Sequence, residues 1–266
     1  MTDPKTSVRV SEASDDPDWD DFLERTPLAA HTQTSAWGRA RASVGWRVVR
    51  AVVSERDRIV GGVQMEMRSL PFGGNVGLVF GGPTVDADCP DAADAVLDAL
   101  MAMGRSFKVR YLAVQSAQGD DGVAERLARS GFRHGILDYL YIYHPASVWI
   151  DLTRDLETMF AGLSKSRRQH IQSAEKAGVV IRMGTEADLP VFVRLKEAHA
   201  VRLGYERRDN EYYEALWRAL APRGHVRLFI AEYEGEPVVA LLVIAFGDTS
   251  HHIERPWSGA QPRVLN

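Results

Sequence analysis

Positive charge is concentrated in one short stretch of a chain whose formal net charge is −4. The segment LSKSRRQHIQSAEKAGVVIR, residues 163–182, contains three cations close together, Lys165, Arg167 and Arg168. Ser164 would cap a helix directly before them, so they fall in its first turn. Cations beside the free N–H groups of a helix start suit phosphate oxygens. The alternatives are a solvated helix face and a non-specific basic patch.

The helical spacing of this segment separates its cations. Arg167 shares a face with the apolar Ile171, while Lys165, Arg168 and Lys176 form a polar stripe. The pattern therefore predicts that Arg167 lies at the end of a buried face. Because an unpaired guanidinium costs several kcal/mol to bury, Arg167 is predicted to point into a cleft or to pair with a carboxylate.

The composition limits the classes of function. A chain of 266 residues with 45% hydrophobic and 26% charged residues is typical of a soluble globular protein. A pI near 6.1 argues against a wholesale nucleic-acid binder. The single cysteine, Cys89, excludes an internal disulfide framework. The acidic N-terminus does not resemble a secretory signal, and the longest apolar run, 237–246, is too short to span a bilayer, so the sequence predicts a cytoplasmic protein.

Two stretches of the chain resemble each other. VRAVVSERDRIVGGVQMEM at 49–67 and RLFIAEYEGEPVVALLVIA at 227–245 both predict a strand, a charged turn and a second strand. Their starting positions differ by 178, and the same offset places VFGGP at 79–83 on WSGAQ at 257–261. With helices before and after these strands, the sequence predicts an α/β fold built from two related units.

The first copy continues with a helix near 91–108, a strand RYLAVQSA and a helix GVAERLARSG, whereas the second copy stops at Asn266. We therefore predict a first domain at 1–146 and a second domain at 147–266 that lacks its C-terminal third. VWIDL is predicted to begin the second domain as a strand. The strand SHHIERPWSG would then be an open sheet edge through which the chain could self-associate.

Several motifs of the chain resemble those of a known family. VWIDLTRDLETMFAGL followed by KSRRQHIQSAEKAGVVIR resembles the Fem family of peptidoglycan bridge aminoacyltransferases, which carry K-x-x-R-x-x-I-x-x-A-x-K-x-G-V after a strand and a helix. QTSAWGRAR, GGPTVD and RDNEYY are similar to weaker motifs of that family.

The resemblance implies two tandem GNAT-like acyltransferase domains. It also implies transfer of an amino acid from aminoacyl-tRNA to an amine on the stem peptide of a UDP-linked or lipid-linked peptidoglycan precursor. No other cofactor and no metal are expected, and both substrates carry phosphates that the basic segment could bind.

The resemblance also carries over individual residues. Arg41 matches a precursor-binding Lys, although Arg39 is close enough to compete. Arg208 and Tyr212 match a pair placed at the precursor's phosphates, and their spacing puts both on one helix face. Asp86 matches an aspartate near the stem peptide, while the family's Tyr nearby is Gly81 in this chain.

The predicted chemistry needs no nucleophilic side chain. A ribose ester is already activated, so aligning it with a neutral amine supplies much of the acceleration. Asp86 and Glu254 are the predicted catalytic carboxylates, with His251 and His252 as further candidates for proton transfer. Because His251 and His252 are consecutive in a strand, they are predicted to face opposite sides.

Two other functions fit the sequence. Tandem GNAT-like units could serve an N-acyltransferase that uses acetyl-CoA, although the nearest approach to its Gly-rich phosphate loop, QGDDGVA, has the wrong spacing. A non-catalytic protein that binds the precursor without turnover is the other alternative.

Overall fold

A computed structural model describes residues 6–116, 121–133, 148–204 and 210–259. The strands are β1 (Thr6–Ser11), β2 (Arg47–Glu55), β3 (Arg58–Ser69), β4 (Asn75–Phe80), β5 (Thr84–Val85), β6 (Val109–Gln115), β7 (Val180–Met183), β8 (Val226–Tyr233), β9 (Glu236–Phe246) and β10 (Thr249–Glu254). The α-helices are α1 (Pro17–Arg25), α2 (Ser35–Ser43), α3 (Ala92–Ser106), α4 (Asp121–Arg129), α5 (Leu156–Gly162), α6 (Lys165–Lys176), α7 (Leu189–Leu203) and α8 (Asn210–Leu220). The α/β prediction is confirmed.

The described residues divide into two compact units that interleave along the sequence. The first unit holds the chain up to 133 together with 210–226 and 244–251. The second holds 148–204, 227–243 and 252–259. Helix α8 therefore belongs to the first unit although it follows most of the second in sequence. The domain boundary predicted at 146 and 147 lies outside the described residues.

The sheet of the first unit has the strand order β1-β2-β3-β4-β6, and β5 pairs separately with β3. Strands β4 and β6 are parallel, and the other pairs are antiparallel. The side chains of β2 alternate between the two faces, because successive residues of a strand point in opposite directions. Val49, Ala51 and Val53 pack in a core with α3, while Val52 packs in a second core with Trp19 of α1.

One side chain joins strands that the backbone leaves apart. Strand β3 pairs with β5 at Gly61 and Gly62 and with β4 only from Glu66 onward, so Gln64 between them has no strand partner on that side. The buried Gln33 amide occupies this place: its Oε1 accepts from Gln64 N at 2.7 Å, and its Nε2 donates to Gln64 O at 3.2 Å and Phe80 O at 2.8 Å. Gln33 thus takes the place of a missing strand residue.

The second sheet has the strand order β10-β9-β8-β7. Its β8–β9 turn matches the β2–β3 turn at the offset of 178 that relates the two sequences: Arg56 and Asp57 have φ of 47° and 69°, and Glu234 and Gly235 have φ of 52° and 80°. Left-handed residues at both turn positions are typical of a tight hairpin. The repeated strand–turn–strand unit predicted from sequence is therefore present in the structure.

The two copies differ in how well one sheet face is covered. Val63 and Met65 of β3 are fully buried in the core that includes α3. Leu241 and Val243, which stand at the same positions of the repeat in β9, are only half-buried. The alternation along β9 is thus typical of a sheet with one well-covered face, whereas β3 is buried on both faces.

The start of the second unit differs from the sequence prediction. VWIDL forms no strand, because residues 148–151 pair with none of the described strands. Helices α5 and α6 follow and contain no buried residue. The predicted closing strands through ILDYLYIYH lie outside the described residues. Among the helices that the structure describes, none is both long enough and apolar enough to cross a membrane.

Candidate functional site

The guanidinium of Arg41 is held in place near the C-terminal end of α2. Thr34 caps this helix by accepting from Trp37 N at 3.1 Å, and Arg41 follows in the last turn. Arg41 Nε donates to Glu66 Oε2 at 2.6 Å, and Trp37 Nε1 donates to Glu66 Oε1 at 2.6 Å. Glu66 binds only the Nε group of Arg41. The two Nη groups of Arg41 have no hydrogen-bond partner among the residues that the structure describes.

Glu66 is the buried anchor of this arrangement. Its side chain is 3% exposed and that of Arg41 is 17% exposed. Burial raises the pKa of Glu66, while the Arg41 charge and the donors from Trp37 and Arg41 oppose that rise. The ionised carboxylate therefore depends on its two donors, and it orients the guanidinium in return.

Tyr212 of α8 lies beside Arg41. The Tyr212 ring centroid is 6.0 Å from Arg41 Cζ and 6.3 Å from the ring of Trp37, which it meets edge-on. The ring of Trp46 lies 4.6 Å from Arg41 Cζ. The first unit thus brings together a cation and three aromatic rings, an arrangement that can hold an anion next to an apolar or planar group.

A pair of histidines continues this aromatic cluster. The buried His31 ring lies 5.2 Å from Trp37 and 5.0 Å from His251. His31 Nδ1 is buried and has no hydrogen-bond partner within the described parts of the chain. Burial, followed by the nearby His251 and His225, lowers the pKa of His31 to about 3, so the ring is neutral near pH 7. His251 is half-buried and His252 is exposed, which confirms that the two face opposite sides.

Asp86 lies away from Arg41. Its carboxylate accepts from Arg58 Nη2 at 2.8 Å and from the backbone of Asp88, and its N donates to Val60 O. Val60 is six residues before Glu66 along β3. At about 3.3 Å per residue this separation is roughly 20 Å. A single ligand could therefore contact both Arg41 and Asp86 only if it is long.

Glu254 lies in the second unit, where Lys196 Nζ is 3.7 Å from its Oε1. Lys196 is buried in α7, so it requires a carboxylate partner. The ion pair with Lys196 is a structural reason for a carboxylate at position 254. The catalytic role of Glu254 stays a prediction.

The basic helix α6 begins where the sequence predicts. Ser164 accepts from Arg167 N at 3.3 Å, and Gly178 follows the helix with φ of 88°. Lys165 and Arg167 are exposed, so the prediction that Arg167 lies on a buried face is wrong: α6 buries no residue on any face. Arg168 Nη1 donates to the carbonyls of Ala161 and Leu163 at the end of α5. Arg168 thus caps the preceding helix.

Arg182, the last cation of the segment, is used within the second unit. It donates to Glu232 and to both carboxylate oxygens of Asp188. The bonds from Arg182 to Asp188, with the amide of Thr185, lower the pKa of Asp188 to about 2. Two carboxylates therefore neutralise Arg182.

The remaining predicted positions can be placed as follows. Arg208 lies outside the described residues. Arg39, the competitor of Arg41, pairs with Asp15, whereas Glu66 bonds to Arg41. Gly81 has φ of 61°, and a Cβ there would lie 2.3 Å from Ala30 Cβ. The backbone at Gly81 thus leaves no room for the family's Tyr.

Glu66 and Trp46 were not predicted from the sequence as site residues. Glu66 is an acidic residue within a strand that is otherwise buried, and such a residue usually has a cationic partner. Nothing in the sequence indicates that this partner is Arg41, since the contact depends on how α2 packs on β3.

The chain matches a known protein family over most of its length. The model of the FemAB family matches residues 15–236. The lipid II:glycine glycyltransferase of Staphylococcus saprophyticus is 24% identical over 228 residues, which is 83% of this chain and 55% of that protein. The enzyme of the same name from Staphylococcus aureus strain MRSA252 is 22% identical over 230 residues, 83% of this chain and 54% of that protein. The chain thus spans about half the length of these relatives.

Solved structures show the same fold. The crystal structure of FemX superposes with a TM-score of 0.78 at 15% identity, covering 97% of this chain and 82% of that one. A conserved protein of unknown function from Bacteroides thetaiotaomicron gives a TM-score of 0.58 at 12% identity, covering 95% of this chain and 81% of that one.

Proposed function

This chain belongs to the FemAB family, and on that premise we propose that it takes part in transferring an amino acid from aminoacyl-tRNA to an amine on a peptidoglycan precursor. The observation that carries the proposal is the contact of Arg41 with Tyr212 in the first unit. The two residues lie far apart in sequence. Arg41 matches a precursor-binding position of the family, and Tyr212 matches a position placed at the precursor's phosphates.

The geometry around Arg41 suits a diphosphate. Glu66 holds Nε, which leaves the Nη edge of the guanidinium to form charge-assisted hydrogen bonds with phosphate oxygens. Trp46 and Tyr212 flank the cation and reduce its exposure to water, which strengthens an ionic contact. In this proposal Arg41 and Tyr212 bind the precursor, and Asp86 contacts its stem peptide roughly 20 Å away along β3.

In the proposed mechanism the protein positions substrates that are already reactive. The amine attacks the ester carbonyl of the aminoacyl-tRNA, a C–N bond forms, the bond to the ribose oxygen breaks, and the amine proton leaves with the tRNA hydroxyl. Alignment supplies much of the acceleration. Lys165, Arg167, Arg168 and Arg208 are proposed to contact substrate phosphates. Asp86 in the first unit and Glu254 in the second unit are proposed as two alternative acceptors of the amine proton. Because aminoacyl-tRNA is the donor, the reaction is placed in the cytoplasm, with no cofactor beyond that donor.

One observation disfavours the acetyl-CoA alternative in the first unit. After an irregularity between Asn75 and Val76, the parallel strands β4 and β6 pair without interruption from Val76 with Tyr111 to Phe80 with Gln115. The ladder continues as Gly82 N donates to Gln115 O at 3.2 Å. No gap separates these strands into which an extended cofactor arm could insert.

The test measures the binding of three ligands and compares the effects of substituting two arginines of α2. Binding of the UDP-linked precursor, the lipid-linked precursor and acetyl-CoA is measured by calorimetry on the full chain, with transfer from aminoacyl-tRNA followed separately. We expect Arg41→Ala to weaken precursor binding at least about tenfold, and Arg39→Ala, which removes a cation paired with Asp15, to have little effect.

Saturable binding of acetyl-CoA with none of either precursor would refute the proposal. Precursor binding that depends on Arg41 without any transfer would instead favour the alternative of a binding protein without turnover.

A further inference from the structure

One end of the first sheet carries positive charge that contrasts with the chain's net charge of −4. The cations are at the end of β3, in the last turn of α3, in the α3–β6 connection and at the start of β6, and all are exposed. They are Arg68, Arg105, Lys108 and Arg110. We call this set the basic end. None of the four has an ion-pair partner among the described residues, and the sequence segments 67–76 and 104–111 contain no acidic residue.

The strand register places these cations together. Arg68 is opposite Val76, and Asn75 is opposite Val109. Asn75 also bonds to the carbonyls of Phe107 and Lys108 at the end of α3, with distances of 2.6 Å and 3.0 Å. The end of β3, the start of β4 and the start of β6 therefore lie side by side.

An apolar tip projects from the same end. Phe72, in the β3–β4 hairpin sequence LPFGG, is 92% exposed. The turn is closed by Leu70 N donating to Gly74 O at 3.0 Å and Gly73 N donating to Leu70 O at 3.1 Å. Gly73 and Gly74 have φ of 82° and 80°, which side chains would strain, so glycine sets this turn. The structure thus presents Leu, Pro and Phe on a preformed loop.

We propose that the basic end and Phe72 dock onto a lipid bilayer with anionic headgroups. Cations at the surface of such a bilayer are attracted to its negative potential, and an aromatic side chain at the level of the headgroups leaves water. The charge of the basic end and the apolar tip between its cations are complementary to this surface. A nucleic acid would also attract the cations, but a hairpin tip of Leu, Pro and Phe is a wedge rather than a flat stacking platform.

The docking surface adjoins the Arg41 site. The guanidinium of Arg68 lies 4.9 Å from the ring of Trp46, and that of Arg41 lies 4.6 Å from the same ring. Arg68 also donates to Val44 O at 2.8 Å, at the end of the helix that carries Arg41. Resting on the proposed function, docking here would bring Arg41 to the headgroup level, where the diphosphate of a lipid-linked precursor lies.

The test uses vesicles without any precursor, so it is independent of the proposed function. The full chain is sedimented with phosphatidylcholine vesicles and with vesicles that also contain phosphatidylglycerol. We expect binding only to the anionic vesicles, weakened by salt. Phe72→Ser should weaken this binding at least about tenfold, and Lys108→Gln with Arg110→Gln about fivefold for each charge removed.

Matched controls lie elsewhere on the same sheet. Arg56→Gln removes an exposed cation from the β2–β3 turn at the opposite end, and Val10→Ser removes an apolar side chain that is 51% exposed on β1. Both should leave vesicle binding unchanged. A Phe72→Trp variant should shift its emission to the blue on anionic vesicles, and circular dichroism of every variant verifies folding.

Three results would overturn the docking proposal. They are the absence of binding to anionic vesicles, equal losses in Arg56→Gln and the basic-end variants, and a Phe72-dependent interaction with an RNA hairpin but not with vesicles. Vesicle binding without precursor binding would refute the proposed function alone, whereas precursor binding through Arg41 without vesicle binding would refute docking alone.

Discussion

The buried His31 makes the stability of the first unit depend on pH in a specific direction. Its ring is packed between Trp37 and His251, and its Nδ1 has no hydrogen-bond partner among the described residues. Burial is the main cause that lowers the pKa of His31 to about 3, and the positive charge that His251 or His225 can carry adds to it. His31 therefore stays neutral in the folded protein at pH values at which it is protonated in the unfolded chain.

The direction and size of the pH dependence follow from the difference between the pKa of His31 in the folded protein and in the unfolded chain. Below the unfolded pKa of about 6.5 the unfolded chain binds a proton that the native ring does not, so stability is lost as the pH falls from about 6.5 toward 3. Between about pH 7.5 and pH 5.5 the loss is about 1.4 kcal/mol, which is a tenfold change in the unfolding equilibrium. A His31→Gln variant cannot gain this proton, so it should lack this part of the pH dependence.

The assay is urea unfolding of the wild type and His31→Gln at both pH values, followed by tryptophan fluorescence. Other titrating groups are common to the two proteins, so the difference of differences isolates His31. The Cε1 proton of His31 should also show no titration in NMR above about pH 4. An equal loss of stability in both proteins between the two pH values would show that His31 is not buried as described.

Three further substitutions test the elements that hold the site. Gln33→Ala leaves the backbone of Gln64 without the partners that Gln33 supplies, and should lower the free energy of unfolding by about 2–5 kcal/mol in urea titrations. Hydrogen exchange of the Gln64 amide should also accelerate. Unchanged protection of this amide would contradict the bridge that Gln33 forms between β3 and β4. Glu66→Gln removes the buried charged partner of Arg41, and should lower the free energy of unfolding by about 3–5 kcal/mol and weaken precursor binding in calorimetry. Wild-type stability together with wild-type precursor binding would contradict the role of Glu66 as the anchor of Arg41. Gly62→Ala places a Cβ 2.6 Å from Ala51 O and 2.7 Å from the Trp19 ring, and should lower the melting temperature through about 1–3 kcal/mol of strain. Gly162→Ala, with nothing within 4 Å of the added Cβ, is the control, and an equal effect there would exclude strain as the cause.

Local signals in the sequence were sufficient for several elements. The N-cap Ser164 and the glycine after α6 are each read from two or three neighbouring residues, and the structure contains both. The repeated hairpin was also predictable, because alternation and turn residues are properties of contiguous segments. Arg167 was wrongly assigned to a buried face, since helical spacing shows which residues share a face but not whether anything covers it.

The sequence by itself determined the α/β class, the repeat and the motif that matches the FemAB family, because each is encoded in residues close together along the chain. Only the tertiary structure decided that Glu66 orients Arg41, that Gln33 bridges β3 and β4, and that α8 brings Tyr212 into the first unit. These contacts join residues from distant segments, and their geometry is set by how helices pack on strands. Sequence spacing carries no information about that packing.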